Sequence, residues 1–320
     1  MSSLPSRFAL SALALTAASG LTACNDRQSQ PTTTVIITPV ATGNSFAIDN
    51  TNGNVISFNR KNSTAVVSNL AVQGLASGES IVGIDVRGNT ATNNGKLYAL
   101  VNTGAVYVLD PSTGFVSGRV PLKASAAAPT NTMCTPAVSA YTALSGTSFG
   151  LDFNPVPDRL RVVSDTGQNL RINVDTGDVT VDCAINTASP STSNKPTAVA
   201  YTNATAATTA AASTTLFYVD TTTDRLLTTT APNNGTVTEV GALGGAAPAV
   251  TGFDIAAADS NRAYAVMTTA TGSRTFLYTI DLGTGTATAT LEFCGAGGSS
   301  GTPPVCANPG NALRGLALGF

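Results

Sequence analysis

The 320-residue chain contains no histidine and no tryptophan, and only 11% of its residues are charged. Without histidine there is no Ser-His-Asp or Cys-His nucleophile system and no imidazole-ligated metal. Lysine occurs only at Lys61, Lys96, Lys123 and Lys195, and glutamate only at Glu79, Glu239 and Glu292. Exposed helix faces are normally built from those residues, so a helical bundle is disfavoured. A formal charge of -2 lacks the basic footprint of a nucleic-acid binder. Apolar residues are plentiful, at 42%, and are accompanied by 30 glycines and 16 prolines. That balance fits a turn-rich, mainly β globular chain rather than a disordered tail.

The N-terminus carries an export signature. Arg7 supplies a positive charge ahead of the apolar stretch from Phe8 to Gly20, which is too short to span a bilayer. The stretch ends in Leu21-Thr22-Ala23-Cys24, which resembles the bacterial lipobox. That resemblance implies removal of residues 1–23 and acylation of Cys24. The alternative is an ordinary secretory peptide followed by a chance cysteine. Two or more acyl chains make a stable anchor, because each buried methylene adds ~0.8 kcal/mol. Residues 24–43 then read as the lipidated cysteine and a polar tether, and residues 44–320 as one domain. The expected location is the cell envelope.

Four other cysteines remain, an even number suited to an oxidising compartment: Cys134, Cys183, Cys294 and Cys306. They lack paired CxxC spacing, so disulfides are expected and a metal site is not. Proximity favours Cys294–Cys306, leaving Cys134–Cys183 by elimination.

Five segments share a pattern of a small residue, an apolar residue, Asp or Ala, and usually another apolar residue. They are Gly83-Ile84-Asp85-Val86, Gly150-Leu151-Asp152-Phe153, Ala198-Val199-Ala200-Tyr201, Gly252-Phe253-Asp254-Ile255 and Gly315-Leu316-Ala317-Leu318. Three further short alternating or apolar runs follow each of the first four, which is the signature of antiparallel strands. Several turns place Asp first and Gly last, as in Asp110-Pro111-Ser112-Thr113-Gly114, Asp175-Thr176-Gly177 and Asp281-Leu282-Gly283-Thr284-Gly285. Four strands per repeat at this period match propeller blades. The last repeat has a first strand and nothing after it. The runs at 45–49, 55–59 and 65–70 are three strands with no first strand before them. Pairing the C-terminal strand with these three closes a ring of about five four-stranded blades. The fold class is therefore an all-β propeller. An open solenoid or a sandwich would not need the split repeat.

Candidate chemistry is sparse. Asp165-Thr166-Gly167 and Asp175-Thr176-Gly177 match the Asp-Thr-Gly of aspartic proteases, but ten residues apart they read as turns of one hairpin unit. Asp85, Asp152 and Asp254 could ring a channel and hold a cation. Calcium wants six to eight oxygens, however, and the equivalent positions in the other two repeats are Ala200 and Ala317. Hydrogen bonding to neighbouring backbone is the expected role, with no metal and no cofactor.

The most polar stretch, Gly150 to Pro155 and Asp158 to Asn173, gathers Arg159, Arg161 and Arg171 among Asp152, Asp158 and Asp165. Guanidinium forks of this kind hold a carboxylate or phosphate, or tie a blade together by cross-strand pairs. Asp152, Arg159, Arg161, Asp165 and Arg171 are accordingly the candidate ligand site. With Gly252-Phe253-Asp254, this stretch resembles the bacterial family catalogued as domain of unknown function 4394. The resemblance covers most of the chain after about residue 44 and is most specific at residues 149–186. It implies a propeller-like exported protein and supplies no reaction.

The expected function is a non-catalytic, lipid-anchored, monomeric module that binds a protein or a small anionic ligand. The alternative is a propeller hydrolase, glycoside-hydrolase-like, working through paired Asp carboxylates.

Overall fold

In a computed structural model the described residues are 14–15, 35–61, 66–124, 134, 137–187, 196–245, 249–268, 274–293 and 313–320. Cys24, Cys294, Cys306 and the polar part of the tether lie outside them. A two-residue ladder pairs β1 (Ala14–Leu15) with β2 (Val35–Ile36). The ring begins with β3 (Ser45–Asp49), β4 (Val55–Phe58) and β5 (Val66–Leu70). The second blade is β6 (Ile81–Arg87), β7 (Lys96–Val101), β8 (Ala105–Leu109) and β9 (Val116–Pro121). The third is β10 (Phe149–Asn154), β11 (Arg159–Ser164), β12 (Asn169–Ile172) and β13 (Val179–Val181).

A short β14 (Asn186–Thr187) adds in parallel to the outer edge of the fourth blade, which is β15 (Ala198–Tyr201), β16 (Leu216–Asp220), β17 (Arg225–Ala231) and β18 (Thr236–Ala242). The fifth blade is β19 (Ala249–Ala256), β20 (Arg262–Thr268), β21 (Thr275–Ile280) and β22 (Ala287–Phe293). The last strand, β23 (Leu313–Leu318), pairs antiparallel with β3 and completes the first blade as its innermost strand. The molecule is a five-bladed β-propeller closed by its two chain ends, as the split repeat predicts.

Each blade is buried on both faces, and the core is divided accordingly. Five apolar clusters fill the five interfaces between neighbouring blades. Between the fifth and first blades, for example, Tyr264, Val266, Leu277 and Phe293 meet Ala47, Ile56, Phe58 and Leu316. Blade-on-blade burial, rather than one central core, is what holds the ring together.

The small residue that opens each inner-strand motif has a steric cause. The inner strands converge so tightly at the axis that a Cβ on Gly252 would lie 2.4 Å from the Gly315 carbonyl carbon. The glycine that ends the outer turns has a different one. The segments leaving the outer strands of the first four blades cross to the outer turn of the next blade. Lys123 donates its amide to the Gly177 carbonyl at 2.8 Å, Gln73 to Gly114 at 2.9 Å and Cys183 to Asn233 at 3.1 Å. Gly177 has a φ of +79°, and a Cβ there would stand 2.1 Å from the Pro121 oxygen.

One turn differs from the sequence reading in its register. In the third blade the capping residue is Asn173, not Asp175. The Gly177 amide donates to the Asn173 carbonyl at 2.8 Å, and the Asp175 amide to Asn173 Oδ1 at 3.1 Å. Asn173 therefore does what Asp110 and Asp281 do in their own turns, and the Asp175 carboxylate is released for another partner. Asp165 and Asp175 belong to turns at opposite ends of β12, so the two Asp-Thr-Gly tripeptides form no carboxylate pair.

Cys134 and Cys183 form a disulfide across 49 residues of sequence, with Cα atoms 5.1 Å apart. It ties the segment that follows the second blade to the one that leaves the third. Closing a loop of this length contributes about 4 kcal/mol in the chain-entropy account.

Gly177→Ala should lower the melting temperature by roughly 5–10 °C, because left-handed strain adds to a backbone clash. Gly53→Ala shares the positive φ, +75°, but meets nothing within 4 Å. It should cost about 1–2 kcal/mol, or a few degrees. Thermal denaturation of the two variants checks the difference, and equal shifts would show that the crossing segment does not constrain the turn.

Candidate functional site

Five inner strands meeting at one axis bring five equivalent backbone amides into a space closed to solvent: those of Val86, Phe153, Tyr201, Ile255 and Leu318. A buried N–H without an acceptor costs several kcal/mol, and no neighbouring strand pairs with these. Three carboxylates supply all five acceptors. Asp85 accepts from Val86 at 2.7 Å and from Phe153 in the next blade at 2.6 Å. Asp152 accepts from Tyr201 in the next blade at 3.1 Å. Asp254 accepts from Ile255 at 2.5 Å and from Leu318 in the next blade at 2.7 Å.

The positions of the two alanines follow from this geometry. Where Ala317 or Ala200 precedes an aspartate around the ring, the amide it cannot reach is taken by the following Asp85 or Asp254. Asp152 follows Asp85, which already serves Phe153, so one Asp152 oxygen has no amide donor among the described residues. That carboxyl hydrogen-bonds to Asp254 instead.

Ligand oxygens of the three side chains lie within 4.8 Å of one another, and all three are buried. Burial, and then repulsion from Asp254, pushes the Asp85 carboxyl well above its usual range. Burial, then the charges of Asp85 and Asp254, does the same to Asp152. Burial lifts Asp254 to about 6, held from going further by the Leu318 and Ile255 amides and by Arg60.

A metal ion would have to draw on oxygens of which five already accept amide protons. With five of the six carboxylate oxygens so engaged, the triad leaves far fewer than the six to eight oxygens calcium takes. The donor set fits shared protons better than a cation. The mouth above it is covered: the segment after β15 crosses from the fourth blade to the second, where Asn89 and Thr205 exchange backbone and side-chain hydrogen bonds of 2.8 to 3.1 Å. Phe320 packs against Gly88 beside them. The void left next to the triad, about 10 Å³, is water-sized.

The sequence-derived set does not converge. Asp152 lies in this axial triad. Arg159 and Asp165 flank opposite ends of β11, where Arg159 donates to the Pro157 and Asp158 carbonyls and Asp165 accepts from the Thr147 amide and hydroxyl. Arg161 is only 1% exposed and is committed to Tyr201, Asn169, Asp182 and Asn233 at the interface with the fourth blade. Arg171 holds Asp182 bidentately at 2.7 and 2.8 Å. Structural pairing is thus what occupies Arg161 and Arg171, with Asp182 rather than Asp152 as the partner.

Sequence reasoning missed two further clusters. Arg87, buried, grips Asp158 and Asp175 of the third blade with two bidentate pairs at 2.6 to 2.9 Å and also donates to the Tyr98 hydroxyl. Its guanidinium lies 5.7 and 5.8 Å from the Tyr98 and Phe153 ring centroids. Arg60 reaches from the first blade to Asp259 of the fifth at 2.8 Å. Burial works to raise the Asp259 carboxyl, but Lys61, Arg60 and Tyr264 hold it down at about 2.

The third feature is a cleft of about 550 Å³ between the first and second blades. Its walls are the β3–β4 turn and the segment leading into β6, and Arg314 of β23 projects into it.

These features define a five-bladed propeller whose axis is sealed and whose charged clusters join blade to blade. The chain belongs to the family described as Domain of unknown function (DUF4394), whose sequence profile matches residues 54–300. No curated protein matches it. Among solved structures, a protein of unknown function from Bacteroides thetaiotaomicron is 14% identical over 88% of this chain and 65% of its own, with a TM-score of 0.49. Kuenenia stuttgartiensis hydrazine synthase is 11% identical over 68% of this chain and 53% of its own, with a TM-score of 0.36. Apo AztD from Citrobacter koseri is 10% identical over 82% and 76%, with a TM-score of 0.39. The chain thus spans less than two thirds of the length of the first two.

The raised carboxyls set a pH dependence. A folded-state pKa above the unfolded value stabilises the fold at low pH, and that stability is lost as pH rises from about 4 through about 6 and beyond. Asp152→Asn mimics the protonated acid, keeping an acceptor for Tyr201 and a donor for Asp254. It should be nearly neutral at pH 4 and raise the melting temperature by roughly 2–6 °C at pH 8. Melting curves across that range check it, and a variant destabilised equally at both pH values would contradict it.

Proposed function

We propose that the protein is a non-catalytic binding module of the cell envelope. In this reading residues 1–23 direct export, acyl chains on Cys24 hold the protein to a membrane, and residues 24–43 carry a rigid ring that meets a protein or a small anionic ligand. The observation that carries the non-catalytic part is the commitment of the axial carboxylates. A glycosidase needs two carboxylates flanking a sugar bond with room for the sugar between them. Here the clustered acids serve backbone amides beneath a covered mouth, beside a void of about 10 Å³. Rigid blades that leave open loops and a ligand-sized cleft favour recognition over turnover.

Two measurements test the proposal. Purified full-length protein should hydrolyse no member of a panel of nitrophenyl glycosides and esters. Turnover abolished by Asp254→Asn, with melting unchanged, would replace the binding module with a hydrolase. Fractionation of cells should find wild type in membranes and Cys24→Ser released, whereas equal membrane retention would remove the lipid anchor from the account.

A further inference from the structure

We propose that the cleft between the first and second blades binds a small organic monocarboxylate with an apolar body, anchored on Arg314. The inference rests on the binding-module reading and assigns its ligand. At about 550 Å³ the cleft falls within the range of small-molecule sites. Ile48 and Ile81 give it a buried apolar floor, with Val72 and Leu75 beside them, while Asn50, Asn52 and Ser80 line its polar side. Apolar lining with a few placed polar groups is the usual form of such sites.

Arg314 faces the cleft with no carboxylate partner among the described residues. Arg60, Arg87, Arg119, Arg161, Arg171, Arg225 and Arg274 each pair with a carboxylate. Among the described residues Arg314 donates to Asn50 Oδ1 and, at 3.1 Å, to the Ile81 carbonyl. Both acceptors are neutral, and Nη2 has no acceptor among the described residues. Burial pushes this guanidinium below its ordinary value, and no carboxylate restores it. A half-buried guanidinium without a counter-charge is a receptor for one.

The acids that line the cleft are already engaged. The Glu79 side chain is 1% exposed and is held by Arg119, Thr103, Tyr107 and the Ala76 amide. Asp49 is buried and accepts the Thr51 amide. Their negative charge near the void disfavours a dianionic phosphate and admits a monoanion. The isoleucine floor asks for an apolar body behind the carboxylate.

Saturation-transfer NMR on the full chain, with benzoate and 4-methylpentanoate as probes and benzamide as the neutral isostere, tests the assignment. Both acids should receive saturation and benzamide should not. Arg314→Gln should weaken the acids by roughly tenfold or more, and Arg314→Lys, which keeps the charge without the fork, by less. Ser80→Leu, at an exposed position, obstructs the cleft without touching the guanidinium and serves if Arg314→Gln does not melt cooperatively. Acid binding that survives both Arg314→Gln and Ser80→Leu would overturn the cleft and leave the binding module standing. Equal binding of benzoate and benzamide, or no saturation of either acid, would overturn the carboxylate assignment. The module reading stands or falls separately, on turnover.

Discussion

Five amide groups with nowhere else to turn set the design of this ring. A propeller brings its inner strands to one axis, and strand pairing inside each blade cannot reach across to the next. Each unmatched N–H would cost several kcal/mol in a dry interior. Three carboxylates meet all five, and four of the six oxygens belong to two aspartates that each bridge their own amide and the next blade's. Neighbouring blades are thereby linked through the axis at three of five interfaces. The remaining two, following Ala200 and Ala317, are relieved by the aspartate that comes after.

The cost of this arrangement is charge. Three carboxylates within 4.8 Å cannot all ionise in a buried space, so protons are held there and the axis becomes a titrating element of the fold. The same geometry demands glycine where inner strands touch, as at Gly252. Farther from the axis the blades are joined by different means. Arg87 clamps the second blade to the third, Arg60 the first to the fifth, and Arg161 the third to the fourth. Apolar clusters fill the space between. Rigidity from axis to rim leaves the loops and the cleft as the least constrained parts of the ring.

Much of this was legible in the sequence because repetition exposes constraint. The Gly-apolar-Asp-apolar motif recurs because each blade presents the same position to the same axis, and the split repeat follows from a ring closed by its ends. The role of Asp85, Asp152 and Asp254 as backbone acceptors was legible too, from the unequal Asp and Ala pattern. What failed was the pairing of long side chains. Arg161 and Asp152 are directly opposed across two strands. Even so, Arg161 reaches outward to Asp182 and Asn233, because the fourth blade's position beside it cannot be read from local spacing.

The register of the Asn173 turn was hidden for a related reason. Asn and Asp cap such turns alike, and Asp175-Thr176-Gly177 imitates the expected pattern two residues too late. Arg87 and Arg314 gave no local signal at all. One is defined by partners 71 and 88 residues away, the other by having neutral acceptors and no carboxylate among the described residues.

The axial acids serve the backbone and hold protons. A carbon-13 NMR titration of aspartate side-chain carboxyls tests this directly. Asp85, Asp152 and Asp254 should titrate above the other aspartates, with Asp254 near pH 6, and the Val86, Phe153, Tyr201, Ile255 and Leu318 amide signals should shift along with them. Three carboxyls that ionise in the ordinary range around pH 4, with those amides unmoved, would contradict the account.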